Sequence, residues 1–148
     1  MAPFVVLVGT FLLFRVAGLA GLDYFDSWIH CLRAAVGCML LITASAHWGR
    51  LRPDLIRMVP ASLPRPDWIV TVTGILEIAG AAAIVIPAAS QAASVLLIIM
   101  LLAMFPANIR AAKQKLPLGG RPATPLGFRT FLQVVFISAI WIAGNVIV

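Results

Sequence analysis

Between Trp68 and Pro87 the chain reads WIVTVTGILEIAGAAAIVIP, twenty residues holding a single ionisable side chain, Glu77, about halfway along. At about 1.5 Å per residue a helix of this length covers roughly 30 Å, the thickness of a bilayer's hydrocarbon core. A carboxyl at that depth is costly unless a neighbour satisfies it, so Glu77 demands a partner from another helix. One helical stripe, Val70, Thr73, Gly74, Glu77, Gly80 and Ala81, is small and polar, which suits close helix contact. The remaining faces carry Ile75, Ile78, Ile84, Val85 and Ile86, which suit acyl chains. The run predicts a transmembrane helix at the centre of a bundle.

The rest of the chain supplies that helix with neighbours. Hydrophobic residues make up 62% of the sequence and charged residues 11%, whereas a soluble domain carries roughly 25% charged residues. The net charge of +6 does not indicate nucleic acid, because no basic face interleaves with aromatic residues. Cys31 and Cys38 fall on one expected helix, about 10 Å apart along its axis, too far to bridge. No CxxC is present, so thiol redox chemistry within the chain is not expected.

Pro3–Leu22 is the first apolar span, interrupted by Arg15 and lacking the preceding basic stretch of a signal peptide. A short acidic turn follows, in which Asp26 or Ser27 is the expected helix cap. Trp28–Trp48 is the second span, with indoles at both interfaces and with Arg33, Gly37, Leu40, Ala44 and His47 on one face. Within the connection over residues 49–67, Pro53–Val59 reads as a short interfacial helix. A fourth span, Ser90–Asn108, meets Pro106 near its end, where the proline frees the Leu102 carbonyl and kinks the last turn. The fifth, Leu126–Val148, opens on Arg129 and Gln133. The predicted fold is thus all-α: one transmembrane domain of residues 1–148, with helices at about 3–22, 28–48, 68–87, 90–108 and 126–148.

Nine of the eleven basic residues lie in or beside two connections. Arg50, Arg52, Arg57 and Arg65 occupy one; Arg110, Lys113, Lys115 and Arg121 the other, with Arg129 just beyond. Both connections then face the cytoplasm, with the N-terminus cytoplasmic and the C-terminus outside a bacterial plasma membrane.

From about Leu32 onward the chain resembles the DoxX-like small membrane proteins. The resemblance rests on LRAAVGCMLLITASAHW, MVPASLPRPDW, TGILEIAGAAAIVIP, MFPANI and RTFLQ taken together, and covers four of the five spans. It implies a four-helix core, to which the first span is an addition, and places Arg33, His47, Glu77, Asn108, Arg129 and Gln133 at the family's recurrent polar positions. Trp48 stands where many relatives carry Phe. Some relatives are subunits of membrane redox assemblies such as thiosulfate:quinone oxidoreductase, others belong to oxidative-stress complexes, and distant animal relatives are receptor-assembly chaperones.

Each polar residue has a structural reading beside a functional one: His47 bonds a loop carbonyl, Asn108 satisfies backbone groups at the Pro106 kink, and Gln133 bridges helices. Counted from the outer helix ends, Arg33 lies about 8 Å deep and Glu77 about 15 Å, a difference an extended guanidinium can span, so a buried Arg33–Glu77 ion pair is expected. Arg129 is expected to snorkel to lipid phosphate. His30, with Asp26 four residues before it, has too few companions for a metal site. No Gly-x-Ser-x-Gly or other nucleophile constellation supports autonomous hydrolysis. No cofactor motif is evident.

His47, Asn108 and Gln133 gather in the inner half of the bundle, and Glu77 closes this region at the midplane. These four are the candidate ligand-binding residues of a polar cavity, open toward the basic loops, for a quinone-like or lipid head group. Two function classes follow. One is an accessory or anchor subunit of a quinone-linked redox assembly, with a soluble or membrane redox partner. The other is a membrane scaffold or assembly chaperone in which Arg33 and Glu77 only fix the bundle. A small-molecule transporter is weaker, since no inverted repeat or broken central helix is seen. Small faces such as Ala79/Ala83 suit helix contact within one copy or in a homo-oligomer.

Overall fold

The structure, a computed structural model, describes residues 2–122 and 124–146. Its helices are α1 (Ala2–Leu19), α2 (Trp28–Ser45), α3 (Arg52–Met58), α4 (Pro66–Ile84), α5 (Pro87–Lys113) and α6 (Leu126–Asn145), with a 3₁₀ turn at Asp23–Phe25. All except α3 are long and apolar enough to cross a membrane. Four of them close a ring in which α2 packs on α4, α4 on α5, α5 on α6, and α6 back on α2. Helix α1 lies against α2 and the 3₁₀ turn.

Local chemistry sets the helix ends, and several differ from the sequence pattern. Helix α1 stops at Leu19 because Gly21 adopts a φ of 101°. Its N–H meets the Gly18 carbonyl at 2.9 Å, and the Leu22 N–H meets that of Ala17 at 3.2 Å, the paired bonds of a Schellman stop. Ser27 takes the N-cap position of α2 without a side-chain cap bond. The turn is held instead by Arg15, which donates to the carbonyls of Asp26 at 2.7 Å and Phe25 at 3.4 Å. Helix α4 begins early because Pro66, already at a helical φ and needing no donor partner, fits its first turn.

Helix α5 continues through Pro106 to Lys113 instead of ending there. The proline removes one backbone bond, and Gln133 of α6 donates to the adjacent carbonyl of Leu101 at 2.9 Å, not to the freed Leu102 carbonyl. Ile147 and Val148, expected to end the last helix, lie outside the described residues.

Both predicted contact stripes point inward. Arg33, Gly37, Leu40, Ala44 and His47 are all buried, as are Val70, Gly74, Glu77, Gly80 and Ala81, while Thr73 of the same stripe is half-buried. Ile75, Ile78 and Ile86 are exposed toward lipid, but of the residues assigned to the same faces Ile84 is fully buried and Val85 is half-buried against the core. Ile84 joins Val36, Leu40, Leu97 and Ile140 in the core inside the ring.

Candidate functional site: a groove between α4 and α5

The register of α2 against α4 decides which polar groups meet. A Cβ on Gly37 would lie 3.3 Å from the Ala81 carbonyl, and one on Gly74 would lie 2.7 Å from the Cβ of His47. The two helices therefore run antiparallel, and Arg33 falls about 12 Å along the axis from the level of Glu77. The expected Arg33–Glu77 ion pair does not form. Arg33 instead donates through Nε to the Ala143 carbonyl at 2.8 Å and through Nη2 to that of Val146 at 3.3 Å. These carbonyls lie at the C-terminal end of α6, where the partial negative charge of the helix suits a cation.

Glu77 faces α2, only 4% exposed, with the Thr43 side chain beside it. Its Oε2 has no hydrogen-bond partner among the described residues and lies 3.8 Å from His47 Nδ1, beyond bonding distance. The His47 Nδ1 lies 3.1 Å from the Thr43 carbonyl. A carbonyl only accepts, so Nδ1 carries a hydrogen and Nε2 is the uncommitted ring nitrogen. Arg52 fixes the backbone here, donating to the His47 carbonyl at 2.7 Å, Thr71 Oγ1 at 2.9 Å and the Asp67 carbonyl at 3.2 Å.

A second polar chain links α5 to α6. Arg129 donates to Asn108 Oδ1 at 3.0 Å and to the Thr124 carbonyl at 3.2 Å, so it turns into the protein instead of snorkelling outward. Because arginine only donates, Asn108 must present its oxygen to Arg129 and its amide nitrogen to Gln133 Oε1, 3.5 Å away. His30 stacks on Tyr24 at 4.6 Å, with Nδ1 2.9 Å from the Tyr24 carbonyl.

A cavity of about 620 Å³ lies between α4 and α5, within the range of small-molecule sites. His47 and Asn108 line it; Glu77 and Gln133 do not. Glu77 is turned toward α2 and Gln133 toward α5, so the expected four-residue polar cavity divides into a groove and two helix-bridging contacts. At the end near the basic loops Leu55, Met58, Val59, Pro60 and the exposed Leu63 line the groove, and Arg110 anchors the segment by donating to the Val59 carbonyl. The predicted interfacial helix is thus a floor, with Met58 and Val59 buried. Leu76, Leu96 and Ile99 line the groove and are exposed, so it opens sideways toward lipid.

The sequence pointed to a cavity at His47 and Asn108 but not to its place between α4 and α5, because its walls consist of absences. Ala79 and Ala83 on α4, with Ala93, Ala103 and Ala107 on α5, leave space where larger residues would fill it. Their four-residue spacings were visible, but small residues at that spacing equally signal close helix packing.

No curated protein and no solved structure matches the chain. The model of a family described as a domain of unknown function, DUF8561, matches residues 36–143, from the third turn of α2 nearly to the end of α6. That interval holds most of the four-helix ring and the whole lining of the groove, and leaves α1 outside. With more than two-thirds of its length matched, the chain belongs to the DUF8561 family.

Proposed function

We propose that this is a DoxX-like protein of the bacterial plasma membrane, acting as an accessory or anchor subunit of a quinone-linked redox assembly. In this reading the α4–α5 groove holds one single-chain amphiphile, quinone-like or lipid. The groove itself carries the proposal. Its lining runs from Ile69 to Ala83 on α4 and from Ala93 to Asn108 on α5, a length of about 21 Å. It is apolar over most of that length, open to lipid, and supplied with His47 and Asn108 toward its basic end. A long tail with one polar head matches that distribution, whereas a compact polar solute does not.

A scaffold or assembly-chaperone role is favoured by a different observation. Arg33, Gln133 and Arg129 bond within the bundle and do not themselves line the groove. Organic extraction and mass spectrometry of purified protein separate the two readings. A co-purifying quinone or other long-chain amphiphile, reduced at least tenfold in a folded Ala83→Phe variant, is expected if the groove is occupied. No bound amphiphile, or an amount unchanged by Ala83→Phe, leaves the scaffold reading.

The loop arginines support a cytoplasmic location for residues 49–67 and 110–124. Single cysteines at Ser62 and Gln114, in a background without Cys31 and Cys38, are expected to resist an impermeant thiol reagent added to intact cells. Labelling of both would reverse the orientation.

A further inference from the structure

We infer that the groove takes an amphiphile whose head group donates a hydroxyl hydrogen to His47 Nε2, and so selects a phenol- or quinol-type head over a carbonyl-only quinone. The inference rests on the proposed function, since it requires an amphiphile in the groove. It follows from hydrogen-bond polarity that the protein has already fixed. Nδ1 of His47 is held by the Thr43 carbonyl, which leaves the neutral ring with an acceptor at Nε2. Nε2 has no hydrogen-bond partner among the described residues, and His47 is one of the residues that line the groove. Arg52 holds this turn against α4 through three bonds, so the imidazole is placed before any ligand arrives. The absence of a Cβ at Gly74 lets it sit this close.

Asn108 supplies the complementary group. Its oxygen is committed to Arg129, so the amide hydrogens are what it can offer, and only one has a partner, the Gln133 oxygen. The polar end of the groove therefore presents one acceptor and one donor. A head with a hydroxyl and a second oxygen satisfies both, as a hydroquinone or alkoxyphenol does. A quinone carries only acceptors and leaves Nε2 unmatched. Leaving a polar group unpaired away from water is the more expensive side of hydrogen-bond exchange, so the head lacking a donor is discriminated against.

The test uses full-length protein in detergent micelles at pH 8, where an ordinary imidazole is neutral. The probes are 4-dodecylphenol, its methyl ether, which keeps the tail and removes the donor, and hexadecanol, which keeps a hydroxyl and removes the ring. The phenol is expected to bind about tenfold more tightly than the ether, and a His47→Phe variant should lose that difference while still binding both. Hexadecanol binding as tightly as the phenol would overturn the phenol- or quinol-type head; weaker binding supports it. Equal binding of phenol and ether to the unmodified protein overturns the inference and leaves the groove proposal standing. Absence of binding by all three probes overturns both. The comparison between probes needs no variant, so it survives any misfolding of His47→Phe.

Discussion

Replacing Arg33 with methionine is expected to destabilise the bundle by about 3 kcal/mol, the scale of two charge-assisted hydrogen bonds lost from a buried site. Both bonds go to carbonyls at the end of α6, so the loss detaches that end from α2. Unfolding can be followed with a thiol-reactive dye at Cys31, which is fully buried in the folded state. Glu77→Gln alone should change stability by less than about 1 kcal/mol, because it removes no ion pair with arginine. Combined with Arg33→Met it should show a coupling energy below about 0.5 kcal/mol, as for residues without shared partners. A double variant clearly more stable than Arg33→Met alone would restore the ion pair and refute the register described above.

Gly144→Val is expected to cost about 3 kcal/mol, the upper part of the usual range for overpacking. The ideal Cβ position at Gly144 collides with the Ser94 side chain and lies 2.8 Å from the Ser90 carbonyl, which is backbone and cannot swing aside. Helices α5 and α6 would have to separate, stretching the Asn145–Ser94 bond of 3.3 Å. Adding Ser94→Gly should relieve the side-chain part of the clash and recover only a fraction of the loss. Gly127→Val is the control: nothing lies within 4 Å of its Cβ position, and its effect should stay within about 1 kcal/mol. Equal losses at the two glycines, in the same unfolding assay, would mean that α5 and α6 do not touch through Gly144.

The sequence alone determined the five spans, their approximate limits and the inward faces of α2 and α4. Those features depend on quantities that add along the chain. Apolar length sets whether a helix crosses the membrane, and the 3.6-residue repeat sets which residues share a side. The stripes through Arg33–His47 and Val70–Ala81 were legible for that reason.

What faced each stripe was decided only in three dimensions. Depth counted from helix ends brought Arg33 and Glu77 within reach, yet the packing of Gly37 against Ala81 set a register that separates them. His47 and Asn108 belong to the groove while Glu77 and Gln133 do not, a division made by the direction in which each side chain leaves its helix. The groove was the least legible feature, because a void has no residue of its own. It exists where the alanines of α4 and α5 fail to fill the space between two helices, and only the distance between those helices turns a small-residue stripe into a cavity instead of a contact.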